Sequence, residues 1–369
     1  MTTSEQYDRI PIADPQLGTR EKDAVAAVLD SGLLAAGEQV QGFEAEFATA
    51  CEATHGVATA NGTAALQTAL EALEIGEGDR VLTTPFTFIA TANAIRFTGA
   101  TPVFADIDPE TYNLDPAAVE STIEAEGEID AILAVHLYGL PADLDALGRI
   151  ADAYDIPLIE DAAQAHGSSF DGTPVGAIGD VGCFSFYPTK NMTTGEGGMV
   201  VTDRDDVAAR ARQFIDHGRA EGYRHERLGH NFRMTDIAAA IGRVQLDRLP
   251  ASLEARRNNA ERLRDGLAEA NVTTPTKPPN TTHAYNQFTI RSERRDELRS
   301  HLDEFGIDSG IYYPIPIHEQ AAYEHVSATA PVSEQAAEEV LSLPVHPGLT
   351  ASDVERTIEA INSFDATNT

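Results

Sequence analysis

A single lysine, Lys190, lies where it could do imine chemistry. It follows the apolar segment 183–187 and precedes a glycine-rich turn at 195–198, and it is one of only three lysines among the 26 lysines and arginines of the chain. Lysine, unlike arginine, can lose its proton when it is desolvated and then form a Schiff base with a carbonyl. The alternative is a solvated surface lysine, which is the common case. The scarcity of lysine and the flanking apolar segment favour a reactive amine.

Asp161 and Gln164 follow a second apolar segment, 157–159, which is typical of a buried strand. Short apolar segments alternate regularly with helical patterns between residues 56 and 202, which predicts βαβ units and a largely parallel sheet with helices on both faces. Ligands bind to such sheets beyond the carboxyl ends of the strands. We therefore expect Asp161 and Gln164 to lie at a ligand site.

Several ordered motifs resemble the DegT/DnrJ/EryC1/StrS family of sugar aminotransferases, which are fold type I enzymes that use pyridoxal 5'-phosphate (PLP). The motifs are Ile-Glu-Asp-Ala-Ala-Gln at 159–164, Ser-Phe-Tyr at 185–187, and Lys190 with the asparagine that follows it. The resemblance extends over nearly the whole chain, from about residue 11 to residue 361.

The resemblance implies a role for each of these residues. Lys190 would hold PLP as a covalent imine, and Asp161 would stabilise the protonated ring nitrogen by charge pairing. Gln164 would hydrogen-bond the ring hydroxyl, and Ser185 would contact the phosphate. Lys190 and Asp161 are therefore the predicted catalytic residues, and PLP, which acts as an electron sink, is the predicted cofactor.

Two further positions are candidates for cofactor contacts. The sequence Asn-Gly-Thr at 61–63 turns directly into a helix; such a turn can bind an anion, although an ordinary N-cap explains it equally well. The resemblance places the PLP phosphate at Gly62 and Thr63. An aromatic ring near the pocket can stack on a flat cofactor, although Phe86 and Phe88 could both be core residues. The resemblance favours Phe88.

The resemblance also predicts residues that reach a second subunit or the substrate. Asn231 would complete the phosphate site of the partner in a homodimer with shared active sites; the alternative is a turn residue at a helix entry. Tyr313 and His318 belong to a segment that resembles the substrate side of the family's site. Tyr312 stands where many members have histidine, which leaves the sugar specificity open.

The length of 369 residues and the order of the predicted elements indicate one large and one smaller domain. Residues 1–250 would form a large PLP-binding domain with a mostly parallel sheet of the seven-stranded type flanked by helices, and residues 251–369 a small C-terminal α+β domain. Pro250 is expected to end a helix, because proline removes a backbone donor. The proline-rich run at 275–279 is a candidate domain junction.

The chain is strongly acidic, with 59 aspartates and glutamates and a net charge of -33. The acids are spread along the sequence, which indicates a solvated surface and, with so little lysine, a halophilic protein whose self-repulsion is screened by salt. No basic stripe or zinc-finger spacing points to nucleic acid as a partner. The sequence shows no N-terminal signal and no membrane-length apolar segment, so we expect a cytoplasmic protein without a membrane partner.

A metal site is not expected from the histidines or cysteines. His217, His225 and His230 lack the spacing and the nearby carboxylates of a zinc site. Cys51 and Cys183 lie far apart in the sequence, which predicts neither a metal cluster nor a disulfide framework.

The resemblance implies an aminotransferase that moves an amino group from L-glutamate or L-glutamine to a nucleotide-linked keto-sugar, by a ping-pong mechanism, in amino-sugar or surface-glycan biosynthesis. Related sugar dehydratases carry histidine in place of the lysine, so Lys190 argues against that activity. A non-catalytic regulatory or sugar-binding protein could share the fold. The turn at 193–198 resembles members that aminate sugar C4, and the segment 313–318 members that act at C3, so the position of amination stays open.

Overall fold

The computed structural model describes residues 9–366 and shows an α/β protein built on a seven-stranded sheet. The helices, in chain order, are α1 (Thr19–Ser31), α2 (Glu38–Ala50), α3 (Gly62–Ala72), α4 (Ala90–Phe97), α5 (Pro116–Glu126), α6 (Leu144–Tyr154), α7 (Asp205–Ile215), α8 (Asp236–Gly266), α9 (Arg295–Glu304), α10 (Pro331–Glu339) and α11 (Ala351–Ala366). The strands are β1 (His55–Thr59), β2 (Arg80–Thr83), β3 (Thr101–Phe104), β4 (Ala131–Val135), β5 (Leu158–Asp161), β6 (Ser169–Phe170), β7 (Thr173–Pro174), β8 (Val181–Ser185), β9 (Gly198–Thr202), β10 (Arg219–Glu221), β11 (Arg224–His225), β12 (Thr281–Thr282), β13 (Phe288–Arg291) and β14 (Val340–Leu343). Short 3-10 helices span Leu137–Gly139, Ile317–Glu319 and Ala321–Tyr323.

The central sheet has the strand order β1-β9-β8-β5-β4-β2-β3. The strands from β8 to β3 run parallel, whereas β9 is antiparallel to both of its neighbours, β1 and β8. Every residue of β4 and β5 is buried, as expected for strands that helices cover on both faces. The predicted fold class, with its mostly parallel seven-stranded sheet, is confirmed.

Helices pack against each face of the sheet and form two apolar clusters. The helices α2, α5, α6 and α8 contribute to one cluster, and α3, α4 and α7 to the other. Along β9, Met199 and Val201 belong to the first cluster and Val200 to the second, because successive side chains of a strand point to opposite faces. The sheet is therefore enclosed, and its strand ends are where a ligand can approach.

A third apolar cluster lies in the C-terminal part of the chain, where β13 pairs with β14 and the helices α9 and α11 pack nearby. Ile10, in the predicted large domain, also belongs to this cluster. None of the helices within residues 9–366 combines the length and the apolar composition needed to cross a membrane.

The helix α8 differs from the sequence-based expectation. It is 31 residues long and continues without interruption through Pro250. The prediction that Pro250 ends this helix is wrong. Proline removes one backbone donor, but Leu249 and Leu253 pack into the first cluster and Ala260 and Leu263 into the third. Packing at both ends outweighs the lost hydrogen bond. The predicted boundary after residue 250 falls inside this helix, and the division into two domains stays a prediction.

Candidate active site

A cavity of about 700 Å³ opens at the carboxyl ends of β5 and β8, beside the start of α3. Its lining contains eight of the ten residues predicted for the site. These are Gly62, Thr63, Phe88, Asp161, Gln164, Ser185, Lys190 and Tyr313. The position agrees with the general rule that ligands of α/β sheets bind beyond the carboxyl ends of the strands.

Lys190 follows β8 in a tight turn, in which its N–H donates to the carbonyl of Tyr187 at 2.9 Å. The residue is partly accessible from the cavity, but its amine is surrounded by protein. Desolvation lowers the pKa of this amine to about 8, against a smaller opposing effect of the nearby Asp161 carboxylate. About a tenth of the amine is therefore neutral and nucleophilic at pH 7, and this fraction rises steeply with pH.

Asp161 is the last residue of β5 and is held between its neighbours in the sheet, Val135 of β4 and Cys183 of β8. Its Oδ2 accepts a hydrogen bond from Thr91 Oγ1 at 2.8 Å, and its Oδ1 accepts one from the N–H of Ala163 at 3.2 Å. Burial raises the pKa of Asp161, and these two hydrogen bonds oppose the rise. A positive charge in the cavity would stabilise the ionised carboxylate further.

Gln164 links the sheet to the segment that contains Tyr313, which the resemblance places on the substrate side of the site. Its Oε1 accepts from the N–H of Tyr138 at 2.6 Å, and its Nε2 donates to the hydroxyl of Tyr313 at 3.0 Å. An amide Nε2 carries two hydrogens, so one N–H of Gln164 stays free to meet a ligand. Burial raises the pKa of Tyr313, which keeps its hydroxyl protonated.

The two phenylalanines considered for ring stacking lie in different surroundings. Phe88 is 56% exposed and lines the cavity, 6.0 Å from the ring of Tyr313, whereas Phe86 is fully buried in the second cluster. Of the two rings, Phe88 is the one that a bound molecule can reach.

The start of α3 forms a cradle against β8. The side chain of Asn61 caps the helix by accepting the N–H of Ala64 at 2.9 Å, while the N–H groups of Gly62 and Thr63 have no acceptor within the helix. A Cβ atom on Gly62 would lie 2.6 Å from the Cβ of Ser185, so only glycine allows this approach. Free N–H groups, a helix N-terminus and the Ser185 hydroxyl together suit a phosphate.

Two predicted site residues lie outside the cavity lining. Asn231 is exposed, and its backbone pairs with Asp216 next to the cavity residue Phe232. The side chain of His318 is only 7% exposed, and its Nε2 lies 3.2 Å from Glu334 Oε1. The roles of both residues stay predictions.

One group of potential metal ligands occurs among the described residues, although no metal was predicted. His318, Glu319 and Glu334 each place one ligand atom within 4.8 Å of the others. Glu319 is exposed, and His318 already has Glu334 as a hydrogen-bond partner, so this hydrogen bond accounts for the contact without a metal.

The sequence motifs did not identify two polar networks next to the site. One is the contact of Thr91 with Asp161. The other is a fully buried pair, in which His136 Nε2 lies 2.9 Å from Glu160 Oε2. Both networks join residues that are distant in the sequence, and composition and periodicity carry no signal for such pairs.

Comparison with known proteins gives a consistent result. The model of the DegT/DnrJ/EryC1/StrS aminotransferase family matches residues 15–362. The chain is 42% identical over 334 residues to UDP-N-acetyl-3-dehydro-alpha-D-glucosamine 3-aminotransferase of Acidithiobacillus ferrooxidans, covering 90% of each chain. It is 40% identical over 372 residues to the pleiotropic regulatory protein of Geobacillus stearothermophilus, covering 98% of this chain and 96% of that one. The crystal structure of S. venezuelae DesV in complex with a ketimine intermediate superposes with a TM-score of 0.94 at 41% identity, covering 97% and 99% of the two chains.

Proposed function

Since the chain belongs to the DegT/DnrJ/EryC1/StrS aminotransferase family, we propose that it is a PLP-dependent enzyme that transfers an amino group to a nucleotide-linked keto-sugar. The observation that carries this function is the pairing of Lys190, whose amine has a lowered pKa, with the buried Asp161 in one cavity. A protein that only binds sugars or regulates has no use for an imine-forming amine at this position. We expect L-glutamate or L-glutamine as the amino donor.

The residues of the cavity fit PLP. Lys190 Nζ would form the covalent imine, Asp161 would face the ring nitrogen, and the free N–H of Gln164 would meet the ring hydroxyl. The cradle of Gly62, Thr63 and Ser185 would hold the phosphate, and Phe88 would cover one face of the ring. When bound, PLP supplies an electron sink for the substrate carbon.

The protein itself supplies proton transfer and charge. Once the amino donor has displaced it, the Lys190 amine is free to take a proton from one carbon atom and return it to another. Asp161 would stabilise positive charge on the ring nitrogen. Because one cavity serves the donor and the keto-sugar in turn, we expect ping-pong kinetics.

The proposed assembly is a homodimer with shared active sites. Asn231 is exposed beside the cavity residue Phe232, which suits a side chain that reaches the phosphate of a partner subunit. Leu33 is 69% exposed and Leu34 44% exposed, and exposed apolar side chains close together favour an interface. We further propose a halophilic protein of the cytoplasm, in agreement with the net charge of -33.

Two residues, Tyr313 and His318, are proposed to contact the sugar substrate. Tyr313 lines the cavity and is a candidate substrate contact. His318 lies outside the lining in the described chain, so a role for it would require the nucleotide-linked substrate to extend beyond the cavity. A panel of nucleotide keto-sugars with the carbonyl at C3 or C4 would identify the substrate.

The test is a spectroscopic one. We would purify the protein in high salt, add PLP, record the visible spectrum, and then add L-glutamate. The expected result is a visible band that requires Lys190, is lost on addition of L-glutamate and returns with a keto acid. Lys190→Ala is the control. Absence of a band that depends on Lys190, or amino transfer by Lys190→Ala at the wild-type rate, would leave the regulatory protein as the better interpretation.

A further inference from the structure

A chain of two buried hydroxyl groups ends on Asp161. Thr91 Oγ1 lies 2.8 Å from Asp161 Oδ2, and Thr87 Oγ1 lies 3.2 Å from Thr91 Oγ1. Thr91 is 1% exposed and Thr87 5% exposed. Thr91 belongs to the first turn of α4, Thr87 lies three residues before this helix begins, and both line the cavity.

When Asp161 is ionised, its charge sets the direction of both hydrogen bonds. An ionised carboxylate can only accept, so Thr91 donates its hydroxyl hydrogen to Asp161. The lone pairs of Thr91 Oγ1 are then free to accept the hydroxyl hydrogen of Thr87. Hydrogen bonds in such a chain strengthen one another, and the chain stabilises the ionised form of Asp161 at the expense of the protonated form.

In the complex of the proposed function, Asp161 and the ring nitrogen of PLP would share one proton. Burial favours the neutral arrangement, in which the proton lies on the Asp161 oxygen and the ring is uncharged. The ion pair, in which the proton lies on nitrogen, needs donors that stabilise the carboxylate. Thr91 donates the shorter of the two hydrogen bonds that Asp161 accepts.

We propose that Thr87 and Thr91 are positioning residues that keep Asp161 ionised, so that the shared proton stays on the ring nitrogen of the cofactor. This inference rests on the proposed function, because it requires PLP in the cavity. It adds Thr91 of α4 and Thr87, which precedes this helix, to the residues that make the ring an effective electron acceptor. The threonines act through Asp161 and need no contact with the substrate.

Loss of the hydrogen bond from Thr91 should move the shared proton measurably from the ring nitrogen towards the Asp161 oxygen. A hydrogen bond to a charged group is stronger than one between neutral groups. We expect Thr91→Val to shift the equilibrium between the two proton positions towards the Asp161 oxygen. The equilibrium constant should change by about tenfold, which corresponds to roughly one unit in the difference between the pKa of Asp161 and the pKa of the ring nitrogen. Thr91→Ser keeps the hydroxyl and should restore the wild-type equilibrium. Thr87→Val should shift it in the same direction by a smaller factor.

The experiment uses 4'-deoxypyridoxine phosphate, which lacks the aldehyde and so cannot react with Lys190. The ring nitrogen of this probe is isotopically labelled, and the NMR chemical shift of that nitrogen distinguishes a protonated ring from a neutral one. The matched control is Thr83→Val, because Thr83 is also fully buried and donates one hydrogen bond of 2.8 Å, to the carbonyl of Leu133. Thermal unfolding of each variant confirms that it is folded.

The outcomes separate the inference from the proposed function. A protonated ring in the wild type and in Thr83→Val, a shift towards the neutral ring in Thr91→Val and recovery in Thr91→Ser would support the inference. If Asp161→Asn changes the nitrogen shift but Thr91→Val does not, the proposed function stands and the inference is overturned. If the wild type does not bind the probe, the proposed function fails and the inference fails with it.

Discussion

Glu160, the residue before Asp161 in β5, is fully buried and accepts four hydrogen bonds. Its Oε1 accepts the N–H groups of Ile178 at 2.9 Å and Gly179 at 2.8 Å. Its Oε2 accepts the N–H of Gly176 at 2.7 Å and pairs with His136 Nε2 at 2.9 Å. All the acceptor positions of a carboxylate are therefore in use, and replacement of Glu160 by glutamine is a sharp test of how this strand end is held.

The magnitude follows from the donors that glutamine cannot satisfy. His136 Nδ1 accepts the N–H of Ala142 at 3.0 Å, so the proton of a neutral His136 is on Nε2 and is donated to Glu160. Glutamine offers one oxygen and one NH₂ group, and in either orientation the NH₂ faces two donors. Each buried donor that loses its acceptor costs about 1–3 kcal/mol. We expect Glu160→Gln to lower the free energy of unfolding by about 4 kcal/mol, within the range for broken buried pairs.

Urea unfolding of the PLP-loaded and cofactor-free proteins measures this effect. The matched control is Glu44→Gln, because Glu44 Oε1 accepts a single N–H, from Ala58 at 2.8 Å, and the glutamine oxygen can still accept it. We expect the control to lie within about 1 kcal/mol of the wild type. If Glu160→Gln were as stable as the control, the assignment of Glu160 as an ionised acceptor for four donors would be refuted.

Two further predictions concern cofactor binding. Burial lowers the pKa of the Lys190 amine to about 8. The rate at which the cofactor-free protein attaches PLP, measured by stopped-flow absorbance, should therefore increase with pH, and the midpoint of this increase should lie near that value. A midpoint near the ordinary lysine pKa of 10.5 would contradict the burial of the amine. Gly62→Ala should weaken PLP binding by about tenfold or more, measured by fluorescence titration, since the new Cβ would lie 2.6 Å from the Cβ of Ser185. Gly148→Ala in α6 is the control, because its Cβ would meet no atom within 4 Å, and unchanged binding in both variants would show that the cradle does not hold the phosphate.

Much of the cavity could be predicted because its residues belong to local motifs. Asp161 ends a strand whose apolar residues are visible in the sequence, and Gln164 lies three residues beyond it. Lys190 follows a second such strand in a turn. The parallel arrangement, itself predicted from the alternation of elements, brings these strand ends together. The choice between Phe86 and Phe88 needed the structure, because both positions are compatible with the same local pattern.

The residues that the sequence did not reveal make contacts over long separations. Thr91 and Asp161 are 70 residues apart, and His136 and Glu160 are 24 apart. Periodicity shows which face of an element is buried, but it does not show which polar side chains meet there. Pro250 is a related case, since the apolar contacts that hold α8 together on both sides of it come from other parts of the chain.

Glu160 and Asp161, at the end of one strand, differ in their roles. Glu160 holds the surrounding backbone by hydrogen bonds, whereas Asp161 is available to a bound ligand. The two side chains point to opposite faces of the sheet because they are successive residues of β5. Burial alone would raise the pKa of both, but the hydrogen bonds from His136, Gly179 and Gly176 lower that of Glu160, whereas that of Asp161 stays raised. A carboxylate has about four acceptor positions. Glu160 uses all of them, whereas Asp161, within residues 9–366, accepts hydrogen bonds only from Thr91 and Ala163. Asp161 is therefore the acid that still has acceptor capacity for a cation in the cavity, and a protonated ring nitrogen would satisfy it.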